Sequence, residues 1–152
     1  MPVENDFVAF IIYGLQLRVA ATSPGIFTSN TSGRGNAAAL NQDGSLNSAA
    51  NPANPGSVVV LYVTGEGAVT PTVSDGTLSQ TPLAKPVAAV VVRIGTLPAA
   101  VEYAGAAPNL VAGLMQINVR VPMGIAGDVP VSVTIGGNPS QTGVTIAVRD
   151  VR

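Results

Sequence analysis

The alternation of hydrophobic and polar positions along the chain predicts many short β-strands. The pattern of a strand with one buried face is clearest over Leu114–Val121. The residues expected on its buried face are Met115, Ile117, Val119 and Val121. A continuous run of β-branched and aromatic residues over Ser57–Thr64 predicts the central strand of a sheet.

Shorter apolar segments, separated by Gly, Pro, Asn and Asp, predict the remaining strands. They are Ile26–Thr28, Ala37–Leu40, Leu46–Ser48, Val69–Val73, Val87–Ile94, Ala99–Tyr103, Val129–Ile135 and Val144–Val148. Asp43-Gly44 indicates a tight hairpin turn within Asn41–Ser45, and Ala104–Asn109 is predicted as a loop. No segment has helical periodicity. Many short strands between turn signals indicate an all-β sandwich, which we expect over residues 19–152.

Composition strengthens the β prediction and excludes one class of partner. The chain has 17 Gly and 12 Pro, and only 10% of its residues are charged. The net charge is −1, and no run of Lys or Arg is present to neutralise phosphates. Nucleic acid is therefore not expected as a partner. A low density of charge also gives weak repulsion between copies, which favours association.

The side chains that enzymes use most are missing. The chain contains no Cys and no His, which excludes disulfides, thiolate metal sites and a serine–histidine triad. A glycosidase needs two carboxylates a few ångströms apart. Glu66 with Asp75 or Glu102 is the available pair, but the eight acidic residues are scattered. The sequence therefore predicts a non-catalytic protein with neither a cofactor nor a metal centre.

Two positions are candidates for ligand contact. Glu66 stands between Gly65 and Gly67, where close backbone approach would let its carboxylate meet a cation or a sugar hydroxyl. The alternative is an exposed turn after the preceding strand. Tyr103, together with Tyr62, is the candidate for a sugar-binding platform, and a partly buried structural tyrosine is the alternative.

The N-terminal apolar run Phe7–Tyr13 is the most unusual segment. The candidate targeting segment that contains it, Phe7–Leu15, is too short to cross a bilayer as a helix, and Glu4 and Asp6 precede it where a signal peptide carries basic residues. We treat residues 1–18 as a separate strand segment. An apolar strand of this kind is prone to aggregate when it is exposed, so it must pack against other protein surface. It can do so within its own sandwich or by pairing in trans with another copy. The residues expected to carry self-assembly are Phe7, Val8, Phe10, Ile11, Ile12 and Tyr13.

A series of ordered motifs resembles the Solibacter-type C-terminal domain, a module at the ends of large secreted acidobacterial proteins. The resemblance covers roughly residues 19–149 and rests on SPGIFT from Ser23, LNQDGSLNS from Leu40, NPA from Asn51, VVLY from Val59, TGEG from Thr64, PLAKP from Pro82, YAG from Tyr103, LVAG from Leu110 and QINVRVP from Gln116. It implies an immunoglobulin-like sandwich and an extracellular setting, and no reaction. Phe7–Tyr13 lies outside the family pattern.

These observations lead to two hypotheses about function. The first is an extracellular structural protein that forms a fibre or array of its own copies, each N-terminal strand adding to the next subunit. The second is a terminal module of a secreted protein that binds a cell-surface glycan or another surface. No membrane span is expected in either case.

Overall fold

The computed structural model describes residues 19–151, which form strands, turns and loops without a helix. The all-β prediction is therefore confirmed for this part of the chain. No helix among these residues is long and apolar enough to cross a membrane. The strands are β1 Gly25–Ile26, β2 Gly35–Asn36, β3 Ala39–Leu40, β4 Val58–Thr64, β5 Val69–Thr70, β6 Lys85–Pro86, β7 Val90–Ile94, β8 Leu97–Ala99, β9 Val101–Ala106, β10 Met115–Arg120, β11 Gly127–Ile135, β12 Asn138–Pro139 and β13 Val144–Val148.

The strands form two main sheets. The first has five strands in the order β1-β4-β10-β9, with β3 also paired to β4. The second has six strands in the order β2-β13-β11-β7-β8, with β12 also paired to β11. All of these pairs are antiparallel except β2 with β13. A separate pair, β5 with β6, lies outside both sheets.

The hydrophobic core lies between the inner faces of the two sheets. In β4 and β10 every second residue is buried, and Leu61 lies directly opposite Ile117. From the second sheet, β11 and β13 contribute Ile135 and Ile146, both fully buried. Burial of each such aliphatic side chain contributes about 1.5–3 kcal/mol. The alternation predicted for Leu114–Val121 is confirmed, as is the central position of β4.

A side-chain amide joins the two sheets at one end. Gln141, from the segment between β12 and β13, accepts a hydrogen bond from the Ile26 N–H (2.9 Å) and donates one to the Ile26 carbonyl (2.6 Å). The Gln141 amide thereby takes the place of a neighbouring strand beside β1. Because β1 is only two residues long, these two bonds hold it where few backbone bonds are available.

Several predicted strand boundaries are wrong. The strand expected over Val87–Ile94 begins at Val90, and Val87 is exposed. The loop expected from Ala104 begins three residues later, because Ala104–Ala106 continue β9 opposite β10 and the Ala106 N–H donates to the Ala84 carbonyl (2.7 Å). The strand expected over Val69–Val73 is limited to Val69–Thr70. Leu46–Ser48 forms isolated bridges in place of a strand.

The N-terminal segment 1–18 lies outside the described residues. The predictions for Phe7–Tyr13, and for the boundary between this segment and the sandwich, therefore stay predictions.

Candidate functional site

Glu66 is held in place by two glycines that lie against another part of the chain. Gly65 and Gly67 have φ angles of 79° and 75°, which favour glycine. An added Cβ would lie 1.9 Å from the Ser23 carbonyl oxygen at Gly65, and 2.2 Å from the Ala21 carbonyl oxygen at Gly67. The Ser23 N–H also donates to the Gly65 carbonyl (2.9 Å). The glycines are therefore required for this close backbone approach.

Glu66 is mostly buried, whereas an exposed turn after the preceding strand was the alternative that the sequence offered. Only 9% of the residue is exposed. No residue within 19–151 forms an ion pair or a side-chain hydrogen bond with it. It lines a cleft of about 300 Å³ with Thr72, Asp75 and the backbone of Gly113 among its neighbours. Glu66 thus lines the cleft as a mostly buried residue, although its carboxylate oxygens are not among the buried side-chain oxygens that lack a hydrogen-bond partner.

The structure brings together one of the two acidic pairs considered from the sequence. Glu66 and Asp75 line the same cleft. Glu102 lies elsewhere, on β9, and forms an ion pair with Arg120 of β10. Within residues 19–151, no group of three or more acidic side chains is placed to hold a metal ion.

Tyr62 and Tyr103 lie on the outer face of the first sheet, on opposite sides of β10. Tyr62 is directly opposite Gln116, and Tyr103 is directly opposite Asn118. The two amides lie between the rings, and the Gln116 Nε2 donates to the Asn118 Oδ1 (2.9 Å). This arrangement of rings around amides is a suitable surface for stacking and hydrogen bonding to a sugar.

The hydroxyl of Tyr103 is already engaged within the strand. It donates to the Ala106 carbonyl (2.7 Å), and the side chain passes over Gly105, where an added Cβ would lie 2.7 Å from the hydroxyl oxygen. Burial raises the pKa of Tyr103. A ligand can therefore use the ring of Tyr103 for stacking, but not its hydroxyl proton. Tyr103 is not among the residues that line the Glu66 cleft.

An apolar groove on the first sheet was not predicted from the sequence. It has a volume of about 350 Å³ and is lined by Phe27, Ala38, Tyr62, Leu110 and Leu114. The Phe27 N–H donates to the Tyr62 carbonyl (3.0 Å), and the Phe27 carbonyl accepts from the Ala38 N–H (2.8 Å). These residues are distant in the chain and meet only through strand pairing, so no local pattern marks them as a group.

The Asn41–Ser45 segment is the tight turn that the sequence predicts. The Asn41 N–H donates to the Ser45 carbonyl (2.7 Å). The Asp43 carboxylate accepts from the Ser45 hydroxyl (2.5 Å) and from the Ser45 N–H (3.0 Å). The hydrogen bond from the Ser45 hydroxyl lowers the pKa of Asp43. The carboxylate therefore stabilises the turn.

These features define an all-β, sandwich-like protein with an apolar groove, an aromatic face and a cleft that contains two acidic residues. Comparisons with models of protein families, with curated proteins and with solved structures each gave no match for this chain.

Proposed function

We propose that the protein is a non-catalytic, extracellular structural subunit with an immunoglobulin-like sandwich. In this proposal the strand Phe7–Tyr13 of one copy docks on a neighbouring copy, and repetition of this contact builds a fibre or array. The extracellular setting and the immunoglobulin-like fold rest on the resemblance to the Solibacter-type C-terminal domain.

One observation carries the proposal: side chains of residues 19–151 pack into a core between the two sheets. Side chains from six strands are fully buried in it, and the largest are Leu61, Ile94, Met115, Ile117, Ile135 and Ile146. A core packed in this way does not readily accept a further apolar strand, because overpacking is destabilising. The side chains of Phe7–Tyr13 therefore need apolar surface elsewhere.

The apolar groove is the acceptor that we propose, because two of the sheet edges, β9 and β8, are protected against strand addition. The β9 edge has a register irregularity next to Glu102, which is charged. The β8 edge is three residues long and contains Pro98. Bulges, charges and prolines of this kind discourage pairing at an edge. In the groove, by contrast, Phe27 and Leu110 remain 44% and 41% exposed.

Deletion of residues 1–13 tests this proposal. We expect the full chain to form oligomers or filaments by size-exclusion chromatography and electron microscopy. The deleted protein should be a monomer with an unchanged unfolding temperature. Oligomers of the same size after the deletion would contradict the proposed role of the strand.

A pair of exposed leucines tests the acceptor. Leu110→Asp places a charge in the groove and should abolish oligomers without loss of the fold. Leu46→Asp is the matched control, since Leu46 is 55% exposed and does not line the groove. Equal assembly of the two variants would exclude the groove as the acceptor.

The second candidate function is glycan binding on the aromatic face, which is favoured by the placement of Tyr62 and Tyr103 around Gln116 and Asn118. Tyr103→Ala should abolish binding on a glycan array. Tyr103→Phe should retain it, because the hydroxyl is engaged with Ala106. An array without any bound glycan would count against this function and would leave the assembly proposal intact.

A further inference from the structure

A polar cleft lies where the turn after β3, the Asn51–Ala53 motif and the chain beyond β13 meet. It has a volume of about 410 Å³, and its lining includes Gln42, Asp43, Asn51, Pro52 and Arg149. This volume lies within the range of about 300–1,000 Å³ that is typical of ligand pockets. The lining comes from three separate parts of the chain, so the cleft exists only in the folded protein.

Hydrogen bonds between these three parts hold the cleft in shape. The Arg149 N–H donates to the Ala53 carbonyl (2.8 Å), and the Ala53 N–H donates to the Ala147 carbonyl (2.9 Å). The Asn41 Nδ2 donates to the Asn51 carbonyl (3.0 Å). The cleft is therefore ordered by the protein itself, which lowers the entropic cost of binding a ligand there.

Two amide side chains of the cleft are oriented by the protein and each keeps one polar atom available. The Gln42 Oε1 accepts from the Val58 N–H (3.0 Å), so its Nε2 is left as a donor. The Asn51 Nδ2 donates to the Ser45 Oγ (2.8 Å) and to the Leu46 carbonyl (3.0 Å), so its Oδ1 is left as an acceptor. No residue within 19–151 forms a hydrogen bond with either remaining atom. A donor and an acceptor in one cleft suit hydroxyl groups, which both donate and accept.

Opposite charges line the cleft without forming an ion pair. The ion pair found within residues 19–151 joins Glu102 to Arg120. Arg149 and Asp43 both line the cleft, but no ion pair within the same range joins them, and the Arg149 guanidinium has no hydrogen-bond acceptor there. A guanidinium is well suited to a ligand carboxylate, because its planar fork can donate two parallel hydrogen bonds to the two oxygens.

We infer that this cleft binds a hexuronate residue, an acidic sugar unit that carries one carboxylate and several hydroxyls. The carboxylate pairs with Arg149, and the hydroxyls bind the Gln42 Nε2 and the Asn51 Oδ1. A simple anion would be repelled by the Asp43 carboxylate, and a metal cation by the Arg149 guanidinium. Neither Tyr62 nor Tyr103 lines the cleft, so the inference depends neither on the aromatic face nor on self-assembly.

Saturation-transfer NMR of the full chain with D-glucuronate and D-galacturonate tests the site, because this method detects weak ligands of monomers and oligomers alike. We expect at least one of the two uronates to bind. D-Glucose and D-galactose, which carry a hydroxymethyl group in place of the carboxylate, should bind at least about tenfold more weakly, because the charged hydrogen bonds to the guanidinium are lost. Absence of a signal from both uronates at millimolar concentration would overturn the inference, as would equal binding of the neutral sugars.

Substitutions in the cleft test the assigned contacts. Arg149→Gln should weaken uronate binding at least about tenfold and remove the preference over the neutral sugar. Gln42→Glu should also weaken it, because this change keeps an oxygen for the Val58 N–H but replaces the free N–H donors by a negative charge.

Two matched variants outside the cleft serve as controls. Arg34→Gln should leave uronate binding unchanged, since Arg34 is also exposed but does not line the cleft. Tyr103→Ala should leave it unchanged as well, which separates this site from the aromatic face. Wild-type affinity in Arg149→Gln would overturn the inference, and so would an equal loss of binding in Arg34→Gln.

Discussion

The side chain of Asn47 forms hydrogen bonds with both backbone groups of Ala147. Its Oδ1 accepts from the Ala147 N–H (2.8 Å), and its Nδ2 donates to the Ala147 carbonyl (2.9 Å). The same Nδ2 donates to the Asn41 Oδ1 (2.9 Å). Asn47 is 1% exposed. The Asn47 amide therefore forms hydrogen bonds with backbone groups at the edge of β13. It lies between the parallel pairing of this strand with β2 and its parallel bridge to Ala53.

Replacement of Asn47 by Ala should destabilise the protein substantially. It leaves the buried Ala147 N–H without a partner, at a cost of about 1–3 kcal/mol, whereas the Ala147 carbonyl still accepts from the Ala53 N–H (2.9 Å). We expect the free energy of unfolding in urea to fall by about 1–3 kcal/mol. Asn54→Ala, at an exposed position, is the control and should change stability by less than about 0.5 kcal/mol. A similar loss in both variants would contradict the structural role of Asn47.

Gly65→Ala should be among the most damaging substitutions in the chain. The new Cβ would lie 1.9 Å from the Ser23 carbonyl oxygen, so the backbone must shift. Gly76→Ala is the matched control, because Gly76 has a similar φ of 76° with no atom within 4 Å of an added Cβ. The control isolates the cost of positive φ, about 1–2 kcal/mol.

Chemical denaturation of the two glycine variants measures the difference. We expect Gly65→Ala to lower the free energy of unfolding by more than about 4 kcal/mol. A loss of this size is typical of backbone clashes and similarly severe disruptions. Equal losses at the two positions would mean that the chain does not pack against Gly65 in the way described.

Ser79→Ala should leave stability unchanged or raise it by up to about 1 kcal/mol. The Ser79 Oγ is buried, and no residue within 19–151 forms a hydrogen bond with it. Ser140 is the matched control, because its buried Oγ accepts from the Val133 N–H (3.1 Å). Ser140→Ala should lower the unfolding free energy by about 1–3 kcal/mol. A loss at Ser79 as large as that at Ser140 would reveal a partner for its hydroxyl.

The stability that Asp43 contributes should depend on pH in the acidic range. The Ser45 hydroxyl lowers the pKa of Asp43 in the folded protein below its usual value of 3.8. The folded state therefore favours the charged form, and the contribution is present in full above the unfolded pKa and is lost as pH falls through the folded pKa.

Urea unfolding of wild type and Ser45→Ala at pH 7 and pH 2.5 checks this dependence. The wild type should be the more stable of the two at pH 7, because Ser45→Ala removes the hydroxyl donor. The difference should shrink as the pH falls from 7 to 2.5, because the carboxyl takes up a proton as the pH falls through its folded pKa. A difference that grows on acidification would reverse the assigned sign.

The sequence alone predicted the strands whose alternation matches burial. Leu114–Val121 is an example: Met115 and Ile117 are buried while Arg120 is exposed, because side chains of a strand point alternately to opposite faces. The Asn41–Ser45 turn was equally predictable, since Asp-Gly suits the local backbone and the Asp43 carboxylate reaches Ser45 two residues away. Both results depend on neighbours in the chain.

The strand boundaries that failed depend on partners distant in the chain. Ala104–Ala106 has weak strand propensity, but the opposing strand β10 and the Ala84 carbonyl hold it extended. Val87 is apolar and β-branched, yet it is exposed beyond the end of β7. Tertiary context overrides local preference at such positions.

The candidate sites likewise combine features that the sequence predicts with features that only the tertiary structure decides. The sequence by itself determined the all-β class, the absence of imidazole and thiolate chemistry, and the singular position of Glu66 between two glycines, because composition and adjacency are properties of the chain. Only the tertiary structure decided that Asp75 lines the same cleft as Glu66, that Glu102 pairs with Arg120, and that Phe27 meets Leu110 in a groove. The physical reason is that these contacts are made by strand pairing and loop packing over long separations, which no local pattern encodes.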